Sequence, residues 1–260
     1  MENYPPQKRP TNPFVKNPND KPYVVYGLIG VLAVIHMYVM TLNVIELNEF
    51  YAKYSNASLL VAEGEYYRLF TSMFLHGGIS HLGFNCFALY IFGGEIEKYF
   101  GPVRLLVIYL LGGLMGSLAS FLFTQGNSIG ASGAVFAVFG ALVAYYYRNF
   151  KLFRLIFGDA IRQRLRSLGT VAALNLAIGF IVNASNAGVK IDNAAHIGGA
   201  LGGLMVAWFI TPYYRLQTEV DDLGFPRRRL EDITPARLWW TVSILFTLGL
   251  AASIFVAVNA

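Results

Sequence analysis

Seven apolar stretches, at about residues 23–44, 78–94, 103–124, 129–147, 168–185, 194–212 and 237–258, dominate this chain and leave few folds open to it. Crossing the hydrocarbon of a bilayer takes about 20 helical residues at roughly 1.5 Å each, and each stretch is close to that length. The expected fold is therefore all-α, a polytopic membrane protein with seven spans. Charge agrees with lipid as the solvent: Asp, Glu, Lys and Arg make up 13% of the residues, where a soluble domain carries about 25%. The second stretch is the least regular. His76-Gly77-Gly78 interrupts an apolar run and Ser80 offers a cap for a restart, so 70–78 reads as a re-entrant or surface-lying element. Residues 45–77 form a long loop that should have structure of its own.

With the N-terminus in the cytoplasm and the spans alternating, 17 of the 20 lysines and arginines fall on the inner side, and only Lys53, Arg68 and Lys190 fall outside. This is the positive-inside asymmetry, so the net charge of +5 reports topology. Nucleic acid is not an expected partner, because the basic residues are spread over four segments that each flank a span. Tyr145-Tyr146-Tyr147, Trp208 with Tyr213-Tyr214, and Trp239-Trp240 fall at the same inner interface. The organisation that follows is a cytoplasmic tail (1–22), a six-span bundle (23–212), a cytoplasmic linker (213–236) and a seventh transmembrane helix (237–260). The tail is polar and proline-rich, unlike a signal peptide, and the single cysteine, Cys86, excludes an intrachain disulfide.

Away from their ends the spans lack Asp, Glu, Lys and Arg, yet they contain His36, His81, Asn85, Ser132, Asn175 and His196. Polar groups in hydrocarbon are costly unless paired, which makes each a functional candidate. Spans two, four and six all run from outside to inside. His81 and Asn85 lie in the first turns of span two, Ser132 in the first turn of span four, and His196 in the first turn of span six. Three segments distant in sequence thus bring polar groups to one depth, near the outer face. His196, Gly199 and Gly203 share a helix face, and such small-residue stripes let helices touch backbone to backbone. Ser132, Phe136 and Gly140 share another.

A serine hydroxyl beside a neutral imidazole is the minimum for nucleophilic catalysis. The developing oxyanion needs donors, which the Ser132 backbone N–H at a helix N-terminus and the side chains of Asn85 and His81 would supply. Gly130 and Gly133, on either side of Ala131-Ser132, permit a tight turn and close approach of a substrate backbone.

Gly130-Ala131-Ser132-Gly133, the Ala195-His196-x-x-Gly199-x-x-x-Gly203 pattern, His76-x4-His81-x3-Asn85 and Tyr67-Arg68 in the first loop together resemble the rhomboid family of intramembrane serine proteases. The resemblance covers about residues 23–212, and with the last span gives a six-plus-one layout similar to that of some rhomboids. It implies a Ser132–His196 dyad without an acid, with Asn85 and His81 contributing to the oxyanion hole and Arg68 belonging to an aromatic-Arg pair that has Tyr67 where tryptophan is usual. Phe136 stands where the family often has a tyrosine stacked on the base histidine, so this ring can pack but offers no hydroxyl.

Several residues have plainer readings. His36 reads as a satisfied interhelical histidine away from the convergent depth, Asn175 as an interhelical hydrogen bond, Cys86 as an inert buried thiol, and Asp192 as a solvated loop charge. His81 with His196 is a poor metal pair, since no carboxylate or third histidine shares their depth; no metal or cofactor is expected. A transporter would show midplane polar groups and internal repeats, and neither is present. An inactive relative would lack the serine, the histidine or the motif geometry. The expected function is an intramembrane serine endopeptidase of the cell (inner) membrane, its active site open to the exterior. Its partners would be the lipid bilayer and single-span membrane proteins that unwind near their outer end.

Overall fold

The structure is a computed structural model that describes residues 21–124, 126–185, 188, 190–220 and 226–259. The tail expected at 1–22 thus lies, but for its last two residues, outside the described residues. In chain order the elements are α1 (Tyr23–Val39), α2 (Val44–Tyr54), β1 (Asn56–Ala57), α3 (Ser58–Ala62) and α4 (Tyr67–Thr71), then α5 (Ile79–Ala88), α6 (Gly94–Phe100), α7 (Pro102–Phe123) and β2 (Asn127–Ser128). They continue with α8 (Ser132–Arg148), α9 (Phe150–Phe157), α10 (Ala160–Ala184), α11 (Asn193–Ile210), β3 (Tyr214–Val220), β4 (Pro226–Asp232) and α12 (Ala236–Asn259). A 3-10 turn, Ser72–Phe74, follows α4, and a π turn, Leu89–Gly93, carries α5 into α6. By length and composition α7, α10 and α11 can each cross a membrane, while α1 and Trp240–Val256 within α12 are shorter apolar helices.

The fold is mostly helical but not all-α. β1 pairs antiparallel with β2 (Asn56 opposite Ser128), and β3 pairs with β4 over seven residues. The stretch 213–236, read as a linker, is therefore largely a hairpin. Its base is fastened to the bundle: Asn149 Nδ2 donates to the Pro212 carbonyl at 2.9 Å, the Tyr214 N–H donates to Asn149 Oδ1 at 3.0 Å, and Arg104 meets Asp232 at 3.1 Å. Alternation along these polar strands was masked by their charge, and an isolated hairpin of this size is marginal without such ties.

Local chemistry sets the helix ends. Gly101, at a positive φ of 85°, turns the chain and Pro102 opens α7 as its first helical residue. α2 begins with a capping box, Asn43 and Glu46 each bonding the other's backbone N–H. α1 is capped from across the bundle, because the buried Glu97 carboxylate of α6 accepts from Val24 N and Val25 N, both at 2.9 Å. A carboxylate there satisfies two orphan donors and faces the positive end of the helix dipole. It also fixes direction: α1 starts beside the end of α6, so His36 in its last turn lies at the end where α5 begins, not away from His81 as the sequence suggested.

The centre of the molecule is the packing of α7, α8 and α11, which meet at glycines. A Cβ on Gly199 would fall 2.0 Å from the Gly133 carbonyl oxygen, and one on Gly203 would fall 2.0 Å from that of Ala137. A Cβ on Gly140 would meet the Ala200 carbonyl oxygen at 2.0 Å, and one on Gly116 of α7 the Ala195 carbonyl oxygen at 2.8 Å. Small residues therefore permit backbone-to-backbone contact along α8 and α11. The tyrosine triplet divides. Tyr145 and Tyr146 are buried, in an aromatic cluster with Tyr99, Phe100 and Phe153, and only Tyr147 is exposed. Three consecutive helical residues cannot face one side.

Candidate active site

Ser132 opens α8 and His196 lies in the first turn of α11. Because the two helices touch through Gly133 and Gly199, the side chains meet: Ser132 Oγ and His196 Nε2 are 2.9 Å apart. The hydroxyl donates to Nε2 in the tautomer that carries the imidazole proton on Nδ1, which is the one a base for this serine requires. His196 is buried, and its Nδ1 has no hydrogen-bond partner among the described residues. Phe136, one turn after the serine, stacks on the imidazole with centroids 4.3 Å apart and planes 7° from parallel. That contact fixes the ring where no acid does. Phe136→Ala is expected to lower any Ser132-dependent rate by about tenfold or more, since imidazole orientation is lost, while Phe136→Tyr keeps the stack and most of the rate; kinetics of the three proteins side by side would check this.

The loop before Ser132 is held on two sides. β2 pairs with β1, and the Gly130 N–H donates to the Ser72 carbonyl at 2.9 Å. Gly130 has φ 135°, and a Cβ there would lie 2.8 Å from His81 Cε1 and Nε2 and 3.7 Å from Ser132 Oγ. The edge of the His81 ring, the Gly130 backbone and the serine oxygen thus converge. The first-turn N–H groups of α8 have no intrahelical acceptor and carry the positive end of its dipole beside Ser132.

The other sequence candidates are placed differently. Asn85 is buried, but its amide donates to the His81 carbonyl at 3.1 Å within its own helix and makes no bond to Ser132. His76 is buried, with its ring 5.0 Å from that of His81, edge to face. Arg68 is buried away from the dyad: it pairs with Glu65 at 2.6 Å and donates to the Ala52 and Ser55 carbonyls, so it ties the long first loop together. Asn175 is exposed and bonds the Val171 carbonyl of its own helix, not a neighbour. His36 is buried with Nδ1 unpartnered among the described residues, not satisfied as the sequence suggested. Cys86 is a half-buried free thiol.

Asp192 is not a solvated loop charge. It caps α11 by accepting from Ala195 N at 2.9 Å and takes hydrogen bonds from Ser120 Oγ of α7 and from Thr124 Oγ1 just past its end. Burial raises its pKa, but bonds from Ser120, Ser128, the Ala195 backbone and Thr124 outweigh it and hold the carboxyl below its ordinary value. A depressed pKa contributes stability above the unfolded value, near about 3.9, and loses it as pH falls through the folded value. Asp192→Ala should therefore cost about 1–2 kcal/mol of stability through the lost cap, with Asp192→Asn milder; thermal melts on either side of pH 4 would show the mutant penalty shrinking in acid. Sequence reasoning also missed the polar surroundings of the serine. Asn56, Ser72, Ser117, Ser120 and Ser128 line a small cavity reaching Ser132, and Asn56 Nδ2 donates to the Ser117 carbonyl at 2.9 Å. Their only signal was one asparagine and four scattered serines, of which Ser117 and Ser120 lie on α7 and the rest on β1, β2 and the 3-10 turn.

A Rhomboid domain model matches residues 63–213. The chain is 42% identical over 152 residues to the "Rhomboid protease GluP" of Bacillus subtilis, covering 57% of this chain and 27% of that protein. It is 38% identical over 152 residues to "RHOMBOID-like protein 6, mitochondrial" of Arabidopsis thaliana, covering 58% and 46%. It is also 36% identical over 141 residues to the same plant's "Inactive RHOMBOID-like protein 8", covering 54% and 37%. These alignments span less than half the length of each relative.

Proposed function

The chain belongs to the rhomboid family of polytopic membrane proteins, and from that premise we propose that it is an intramembrane serine endopeptidase with Ser132 as nucleophile and His196 as general base. The observation that carries this reading is the 2.9 Å pair between Ser132 and His196 on two different helices, braced by Phe136. His196 takes the hydroxyl proton as Oγ attacks a peptide carbonyl, then returns it to the leaving amine. The α8 N-terminal N–H groups and His81 receive the oxyanion, with Asn85 joining them once its amide turns from the His81 carbonyl. Water then hydrolyses the acyl-enzyme. No cofactor enters this scheme.

The substrate is a single-span membrane protein whose helix unwinds near the outer face, because a helical backbone hides the scissile carbonyl. The bundle of 23–212 crosses the membrane six times and α12 a seventh, with residues 1–22 and the β3–β4 hairpin cytoplasmic and residues 45–77 exterior. Reporter fusions at 1–22 and within 45–77 should give these locations, and the reverse would remove the convergence of polar groups on the outer side. The identity to an inactive relative makes activity the point to test. A fluorophosphonate probe should label the wild-type protein in detergent and leave Ser132→Ala unlabelled. Equal labelling of both would sink the proposal.

A further inference from the structure

Arg148 closes α8 at the end opposite Ser132. Arg148 is sixteen helical steps from Ser132, about 24 Å of a hydrocarbon layer about 30 Å thick, which puts it at headgroup level when the dyad lies just inside the other face. Its guanidinium donates to the carbonyl of Trp208 near the end of α11 and lies 5.2 Å from the centroid of the Tyr213 ring. The Trp208 ring is in turn 6.0 Å from that of Tyr147. All three aromatic residues are exposed, so a cation sits in an open aromatic ledge. Among the described residues no carboxylate pairs with it. Asp232, whose charge reaches Arg148, is engaged elsewhere: it pairs with Arg104 at 3.1 Å and accepts from the Thr234 N–H at 3.0 Å. A guanidinium has five N–H donors, so most remain for an oxygen ligand.

The ledge continues along the helix. Leu201, Met205 and Trp208, spaced i, i+4 and i+7, form one exposed stripe of α11 that runs from the middle of the helix to Arg148. We propose that Arg148 binds the phosphodiester of a phospholipid in the leaflet opposite the dyad, with an acyl chain of the same lipid laid along Leu201 and Met205. The charge without a carboxylate partner, the aromatic ledge at headgroup depth and the apolar stripe each match one part of that molecule. A free phosphate would use only the first.

The test is lipid retention by the purified full-length protein, read by native mass spectrometry as phosphatidylglycerol is titrated into detergent. The wild type should keep one phospholipid at the lowest lipid ratios. Arg148→Gln should weaken retention at least tenfold and Arg148→Lys less, because lysine keeps the charge and loses the planar fork. Met205→Gln, on an exposed position outside the packed core, should weaken it as well and covers the case in which Arg148→Gln fails to fold. Arg162→Gln, an exposed arginine at the same end of the bundle, should change nothing. Unchanged retention in Arg148→Gln and Met205→Gln would overturn the site, as would an equal loss in Arg162→Gln, which would mean bulk charge. Displacement of the lipid by inorganic phosphate alone at millimolar concentration would overturn the lipid assignment. None of these readings depends on proteolysis, so the outcome is separate from that of the proposed activity.

Discussion

Ser132→Ala and His196→Ala should each lower kcat by about 10⁴–10⁶-fold, and the double variant should be no worse than either single one, because a nucleophile and its base act as one unit. The effect is expected to be large because the site offers no substitute for either group. Among the described residues nothing bonds His196 Nδ1, and the Asp192 carboxylate is engaged by the cap of α11 and by the hydroxyls of Ser120 and Thr124. The measurement is turnover of a single-span reporter in proteoliposomes, with circular dichroism showing that the bundle stays folded. A loss of less than tenfold in His196→Ala would mean that another group takes the serine proton. A loss in Asp192→Asn as deep as that in His196→Ala would convert the dyad into a triad.

What the sequence made legible follows from how each feature is encoded. The apolar runs and the meeting of Ser132 with His196 were readable because helical periodicity and the alternating direction of the spans together limit face and depth, whereas the packing of Phe136 on His196 was expected only from the family resemblance. Helix faces also anticipated the glycine contacts of Gly199 and Gly203 with α8. What stayed hidden was encoded by partners far away in the chain. Nothing local marks Glu97 as the cap of α1, and nothing near Asp192 shows that hydroxyls some 70 residues earlier will hold it. The β3–β4 hairpin escaped notice because the charges of its strands masked the alternation of Tyr214, Leu216 and Val220 with polar residues. Asn85 shows the remaining limit: sequence placed it on one helix face with His81, but a side-chain amide has more than one rotamer, and here it satisfies its own helix.

Gly199→Ala is the smallest change expected to have a large effect on the reaction, and it tests why the dyad exists at all. The added Cβ would lie 2.0 Å from the Gly133 carbonyl oxygen, 2.7 Å from its carbonyl carbon and 3.1 Å from its Cα. All three are backbone atoms, so no side chain can swing away. Reaching an ordinary contact at 3.4 Å requires α8 and α11 to part by about 1.4 Å, the difference between 3.4 and 2.0. His196 lies three residues before Gly199 on the same helix, and Gly133 follows Ser132 directly, so the separation falls on the dyad. A 2.9 Å bond stretched by an ångström is no longer a hydrogen bond, and misplacement on that scale costs about 10²-fold in rate. Gly199→Ala should therefore lose about two orders of magnitude in kcat and in fluorophosphonate labelling, with a smaller change in substrate affinity. Gly30→Ala on α1 is the matched control, because a Cβ there meets nothing within 4 Å, and its rate should equal that of the wild type. Full activity in Gly199→Ala would show that α8 and α11 can separate without breaking the Ser132–His196 pair, and that glycine packing does not set the catalytic geometry.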